Sequence, residues 1–506
     1  MPKRDRVPGT GSDFLSLDIA VAPSSGRTTW LADQLRTAIV QARLTAGTRL
    51  PATRTLADEL GVARGVVVQA YQRLLEEGLV AARTGVGTMV LPVEQVERVE
   101  RVERVGVTTR NRPLIEGSRE LEPADVVPRL PLPFDQDDPD ALDLSPGIPD
   151  LSAFPRAAWL RAERRVLREA ATADLGYGDP RGSARLRAEL SGWLARNRGV
   201  RADPDQILIT AGVAQGLALL AQTLRSRGIT TIAVEDPGSR GAREQAAHWG
   251  LRAVPIPVDA EGLQVEALER AEVEVALLTP AHQFPTGVVL SPGRRRALLD
   301  WARAGRLVIE DDYDAEHRYD RAPVRAVQPW APDQVAHTGS TSKTLAPGMR
   351  LGWLVPPPDL YPDLVAARHA NDLGSPALPQ LVLAELLAEG MYDRHLRLVR
   401  NRQRRRRDAM LAALAEYLPG ARVEGAAAGL HLLITLPGLP IDTDDAQLAN
   451  AIRHAGVRVH PLSWHRIFSG PPGLVLGYAA HPPDRLNLAV RRMAAALPKE
   501  LRHQPN

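Results

Sequence analysis

Apolar residues at Leu31, Leu35, Ile39 and Val40 recur at helical spacing and predict a helix near the start of the chain. Residues 44–51 read as a turn-and-strand link. Two short helices follow, over residues 53–60 and 63–77, each closed by a glycine, Gly61 and Gly78. Glycine takes the left-handed conformation that ends a helix without a Cβ penalty. Residues 79–90 alternate like two short strands around Thr84-Gly-Val-Gly-Thr88. Together these elements predict a winged helix-turn-helix over residues 27–92, preceded by a loose tail.

The pattern then breaks. Residues 93–140 predict a flexible linker: a Glu-Arg-Val triplet repeat, whose valines would drift round a helix, is followed by a proline-rich acidic run. From residue 142 onward, helical stretches separate short apolar segments at 206–210, 230–234, 273–278 and 306–310. That alternation predicts an α/β body, residues 141–497, with a large, mostly parallel sheet covered by helices. Shorter strands such as 431–436 predict a small α+β subdomain from about residue 390 onward. The arginine run at 402–407 is expected to be a solvated helix face.

Composition narrows the classes. The 506 residues contain no cysteine, which excludes disulfides, thiolate metal sites and cysteine nucleophiles. No metal site is expected. No run of 18 apolar residues suggests a membrane span, and the polar start lacks the apolar core of a signal peptide, so a cytoplasmic protein is expected. Residues 27–92 hold eight arginines against five acids, an excess equal to the +3 of the whole chain. A basic head on a neutral body permits DNA binding. Only three of the 63 basic residues are lysines, Lys3, Lys343 and Lys499, so Lys343 is the sole internal one. Arginine replaces lysine in surface charge but cannot form a Schiff base.

The second head helix would enter the major groove with Arg64 at the base edges. Arg49 and Arg54 suit phosphates, and the wing with Arg83, Gly87 and Thr88 suits backbone or minor-groove contact. In the body, Gly339-Ser-Thr-Ser-Lys343 places hydroxyls beside the lone lysine, with Arg350 seven residues on. Val308-Ile-Glu-Asp-Asp-Tyr-Asp314 ends an apolar strand in acids and a tyrosine. Thr210-Ala-Gly-Val-Ala214 turns from a strand into a helix whose free amides can hold a phosphate.

Read in order, these motifs resemble the MocR subfamily of GntR regulators, in which a winged head is joined to a fold-type I, pyridoxal-phosphate-dependent aminotransferase fold. The head match rests on Gly47-Thr-Arg-Leu-Pro-Ala-Thr-Arg54 and Tyr71-Gln-Arg-Leu-Leu-Glu-Glu-Gly-Leu79. The body match adds Leu175-Gly-Tyr-Gly-Asp-Pro180, Val234-Glu-Asp-Pro-Gly238, Thr279-Pro-Ala-His-Gln-Phe-Pro-Thr-Gly287 and Gly429-Leu-His431. The resemblance implies pyridoxal 5'-phosphate as cofactor, double-stranded DNA as partner and a head-to-tail homodimer. It implies that Lys343 forms the internal aldimine. It implies Asp311, with Glu310 and Asp312 as alternatives, at the pyridine nitrogen, and Tyr313 at the phenolic oxygen. Ser340, Ser342, Arg350 and the amides of Val213 and Ala214 would bind phosphate, and Tyr177 would reach it across a dimer interface. His282 or Gln283 would stand where aminotransferases use an asparagine.

The chain departs from the family at several positions, among them Ala63 and Gly65 in the head and the extra Phe284 in the body. Ser239 stands where the family usually places a tyrosine, Gly241 where GABA-responsive members carry an arginine, and Trp464 where others carry a carboxylate-binding arginine. Arg466 is the candidate substitute. The weak carboxylate clamp favours a sensor of the cofactor, like the branch that controls pyridoxal-phosphate synthesis, or of an amine captured by it. A working aminotransferase with an appended head, and a cofactor-free interaction protein, are the alternatives.

Overall fold

The computed structural model describes residues 11–12, 15, 17–23, 26–83, 87–91, 141–314, 316–319, 324–498 and 501. The expected linker, residues 93–140, and most of the expected tail lie outside these. The chain divides into two compact units, the first holding residues 1–118 and 291–296, the second the remainder.

In the first unit, helices α1 (Arg27–Val40), α2 (Thr53–Leu60) and α3 (Arg64–Glu76) bury Leu31, Leu35, Leu56, Leu60, Val67 and Leu74 against one another. Gly61 ends α2 at φ 62°, as its place in the sequence requires. Strands β1 (Val80–Arg83) and β2 (Gly87–Val90) pair antiparallel. The link before α2 joins this hairpin, with Leu50 N–H donating to the Thr88 carbonyl at 2.9 Å. A buried ion pair holds the bundle: Arg36 is bidentate to Glu77, both contacts 2.6 Å.

The second unit is built on an eight-stranded sheet. Its strands are β3 (Leu208–Thr210), β4 (Thr231–Asp236), β5 (Arg252–Asp259), β6 (Gly262–Leu263), β7 (Val275–Leu278), β8 (Leu307–Asp311), β9 (Val335–Ser340) and β10 (Gly352–Val355). They lie in the order β3-β10-β9-β8-β7-β4-β5-β6. Only β10 and the edge strand β6 run against the rest. The carboxyl ends of β3, β4, β7, β8 and β9 therefore share one edge, where open parallel sheets gather their ligands.

Four of these strands, β5, β6, β9 and β10, are absent from the sequence-based expectation. β5 contains Pro255 and Pro257, which argue against a strand. Arg252 N–H bonds Thr230 on the β4 side, so in the alternation both prolines turn their missing N–H groups away from β4. β9 reads Val-Ala-His-Thr-Gly-Ser, too polar for an apolar run, yet every residue is buried.

The small sheet of four strands, β11 (Arg422–Glu424), β12 (His431–Thr435), β13 (His460–Pro461) and β14 (Gly473–Gly477), is antiparallel in the order β11-β12-β14-β13. Leu432, Ile434, Leu474 and Leu476 share its core with Met410, Leu414 and Val490. The arginine run is only partly solvated: Arg406 is buried and, with Arg402, pairs Asp150 at 3.0 and 2.7 Å. No helix among the described residues is long and apolar enough to cross a membrane, and no group of three or more candidate ligands there could hold a metal.

Candidate functional site

The site forms where the five carboxyl ends meet. β9 ends at Ser340, and the following turn carries Lys343, whose Nζ donates to the Gly147 carbonyl at 2.6 Å. Gly147 has φ 85°, and a β-carbon on it would stand 3.0 Å from that Nζ. Burial lowers the Lys343 pKa from its ordinary value, opposed by the carboxylates of Asp314 and Asp311.

The three consecutive acids after β8 have different partners. Glu310 is fully buried and accepts the amides of Val327 and Gln328 at 2.8–3.2 Å. Asp312 forms a buried bidentate pair with Arg198, at 2.5 and 2.9 Å. Among the described residues the Asp311 side chain has one hydrogen-bond partner, the Thr338 hydroxyl at 3.5 Å, and it lines a small pocket with Glu235, Ser239, Ala242 and Thr279. Strand alternation explains the division, since 310 and 312 share a face and 311 has the other. Burial, then the nearby Asp312 and Asp314, push the Asp311 carboxyl up to about 7. Across the cavity Glu235 is also pushed up to about 7, chiefly by burial; it accepts the Thr279 hydroxyl at 2.6 Å and its amide at 3.1 Å.

A second feature suits an anion. Gly212, at φ 90°, precedes helix α4 (Val213–Ser226), whose first amides belong to Val213 and Ala214. Arg350 donates to the Ala211 carbonyl, and a β-carbon on Gly212 would lie 3.2 Å from its guanidinium. Ser342 N–H faces the Ser340 hydroxyl at 3.3 Å. Arg350 thus stands at a helix N-terminus whose first amides are those of Val213 and Ala214.

Other expected residues fall as follows. Tyr313 lies beside His282, its hydroxyl 3.1 Å from Nδ1. The Gln283 amide donates to the Pro237 and Phe284 carbonyls at 2.8 and 2.6 Å, and its oxygen accepts Thr286, which ties it into its own turn. Arg466 donates one guanidinium N–H to the Pro471 carbonyl of its own loop, at 2.5 Å. Tyr177 is 88 % exposed. Ser239 caps helix α5 (Arg240–His248) through the Ala242 amide at 3.2 Å. Trp464 is covered by the Arg240 guanidinium, 5.6 Å from the ring centre. Sequence reasoning missed Arg198, Glu235, Gly147 and Asp314 as members of the site; Glu235 and Asp314 stand inside motifs it had singled out.

In the head, the exposed Arg64 starts α3 and reaches the Thr53 hydroxyl at the start of α2, at 3.4 Å. Arg54 is exposed on α2. Arg49 lies against the wing, its Nε 3.0 Å from where a Gly87 β-carbon would be, and Thr88 pairs with the adjoining link. The Arg83 side chain lies outside the described residues.

Residues 139–493 match the family model for aminotransferase class I and II, and residues 28–90 that for bacterial regulatory proteins of the gntR family. The chain is 31 % identical to a probable rhizopine catabolism regulatory protein, MocR, of Rhizobium meliloti, covering 92 % of each chain. It is also 31 % identical to the pyridoxine biosynthesis transcriptional regulator PdxR of Corynebacterium glutamicum, over 93 % of this chain and 95 % of that one. Among solved structures it resembles LysN, the α-aminoadipate aminotransferase of Thermus thermophilus, complexed with N-(5'-phosphopyridoxyl)-L-leucine. The TM-score is 0.65 and the identity 29 %, over 72 % of this chain and 93 % of LysN.

The geometry fits pyridoxal phosphate: a half-buried primary amine, a carboxyl at a strand end that makes no ion pair among the described residues, and an anion cradle that a side chain at Gly212 would crowd. The chain is a MocR-type transcriptional regulator, a DNA-binding gntR-family head fused to a pyridoxal-5'-phosphate-binding body of the class I and II aminotransferase family.

Proposed function

We propose that the body senses the cofactor, or an amine captured by it, and that this state alters how the head holds DNA. The observation that carries the reading is the Lys343 site in the same chain as a reading head: the one internal lysine lies between the free carboxyl of Asp311 and the Arg350 cradle. When bound, the cofactor supplies an electrophilic carbon that combines with primary amines. Lys343 provides the covalent attachment. Asp311 keeps the pyridine nitrogen protonated, and its elevated pKa without a partner is what a counter-cation would reverse. Tyr313 and His282 donate near the phenolic oxygen. Ser340, Ser342, Arg350 and the amides of Val213 and Ala214 hold the phosphate, and an exposed Tyr177 reaches the equivalent site of a second copy in a head-to-tail homodimer. Arg64 reads bases, while Arg49, Arg54, Arg83, Gly87 and Thr88 follow the backbone. The protein works in the cytoplasm, and regulation of pyridoxal-phosphate synthesis is the pathway favoured by its likeness to PdxR.

A carboxylate clamp matters for choosing between sensing and turnover. Arg466 is engaged by Pro471, which favours sensing. The test is fluorescence anisotropy on DNA selected by the protein itself, with and without pyridoxal phosphate, beside a transamination assay with mixed amino donors and keto acids. A cofactor-dependent change in DNA affinity without turnover supports the reading. Steady turnover with unchanged DNA affinity would make the chain an enzyme with an appended head.

A further inference from the structure

Asp314 and Gly429, which the cofactor reading leaves without a task, meet around His282. Asp314 is 1 % exposed. Its carboxylate lies 3.0 and 3.1 Å from His282 Nδ1, which is also 3.1 Å from the Tyr313 hydroxyl. Gly429 seals the pair. A β-carbon there would lie 2.1 Å from His282 Cε1 and 2.8 Å from Asp314 Oδ2. The turn is fastened from both sides: its carbonyl accepts the Tyr319 and Tyr478 hydroxyls at 2.5 and 2.6 Å, and its N–H donates to His317 at 2.9 Å. The small subdomain thus presses a side-chain-free turn onto a histidine–carboxylate pair.

We propose that Asp314, clamped by His282 beneath Gly429, is a positioning residue that aims the Tyr313 hydroxyl and holds the proton on the Lys343 nitrogen. The proposal rests on the reading that Lys343 carries the cofactor. The surrounding charges leave Asp314 as the constant one. Burial alone would lift its carboxyl, but His282, in contact at 3.0 Å, holds it below the usual range. Asp311, the other carboxylate acting on Lys343, is itself near 7. Burial lowers His431 to about 3 and His317 to about 4, so both are neutral at physiological pH. The tyrosines at 313, 319 and 478 are all raised by burial and stay protonated. Glu316, about 7 chiefly through burial, titrates with Asp311.

The test uses the cofactor-loaded full-length chain and the visible spectrum of the bound cofactor from pH 5 to 10. The parent, Asp314→Asn and Asp314→Glu are compared, with Lys343→Ala as the blank. Asp314→Asn is expected to lower the spectral midpoint by about one pH unit, a tenfold weaker hold on the proton, and Asp314→Glu to restore at least half of that. A parent band with an unmoved Asn midpoint overturns the proposal alone. A parent without a band overturns the cofactor reading and this proposal with it. Should Asp314→Asn fail to fold, His282→Phe tests the same clamp: Asp314 is then expected to titrate within the range and add an inflection. A single, unshifted transition in His282→Phe overturns the proposal.

Discussion

Replacing Arg198 by methionine probes the packing that leaves Asp311 free for its task. Arg198 is 1 % exposed, and its guanidinium is shared between Asp312, at 2.5 and 2.9 Å, and the Val324 carbonyl, at 2.5 Å. Methionine fills much of the volume but leaves the Asp312 carboxylate buried with no ion pair. Removing one partner of a buried pair costs about 3–5 kcal/mol, most of it the penalty of the stranded charge. Asp312 also raises both Asp311 and Glu316, so the stranded carboxylate lies in a cluster already short of positive charge. The double change Arg198→Met with Asp312→Leu removes that charge and is expected to recover most of the loss, because apolar replacement of a whole buried pair is often neutral. The assay is urea unfolding of the full chain at pH 7, followed by the fluorescence of Trp193 and Trp353, both buried in the body. A single variant as stable as the parent, or a double variant no better than the single, would refute the reasoning.

In the cofactor-free chain the contribution of Asp311 and Glu235 to stability should fall as pH rises from about 4 to 7, against the opposing rise from the buried histidines. The folded carboxyls of Asp311 and Glu235 sit near 7, while ordinary carboxyls titrate near 4, so their contribution is complete below the unfolded values and declines through that window. The thermal midpoint of the parent relative to Asp311→Asn should therefore fall across pH 5–7.5, and parallel curves would contradict this. Arg350→Gln removes a charge-assisted donor from the phosphate cradle; a loss of about 1.5–3 kcal/mol in cofactor affinity is expected by spectral titration, and unchanged affinity would remove Arg350 from the cradle. In the head, Arg64→Ala should cost about 1–3 kcal/mol on selected DNA and relax its sequence preference, whereas Arg49→Ala should weaken all sequences alike and lower the salt slope by about one. Identical behaviour of the two variants in anisotropy would undo that division.

How much of this was legible in the sequence depends on how local each signal is. Helix α2 was read at its observed bounds because its glycine stop and apolar spacing both lie within the segment. β8 and β7 were read from short apolar runs, β8 within a residue of its observed start. β9 was not, because burial of His337, Thr338 and Ser340 is imposed by neighbours rather than by their own polarity. The same limit governs the site. Lys343 stood out by composition alone. The choice among Glu310, Asp311 and Asp312 could not be made, since it depends on Arg198, 114 positions before Asp312, and on the amides of Val327 and Gln328. Gln283 and Arg466 show the converse: each carries suitable chemistry, but the nearby carbonyls that accept from them are set by local turns that sequence does not display.

The central claim is that Lys343 holds the cofactor. The direct measurement is the absorption spectrum of the purified chain with added pyridoxal phosphate, followed by borohydride reduction and mass analysis of its peptides, beside Lys343→Ala. A visible band that borohydride bleaches, a phosphopyridoxyl mass on the peptide containing Lys343, and neither in the variant, are the predicted results. The same band and label in Lys343→Ala, or no band in the parent at saturating cofactor, would contradict the account.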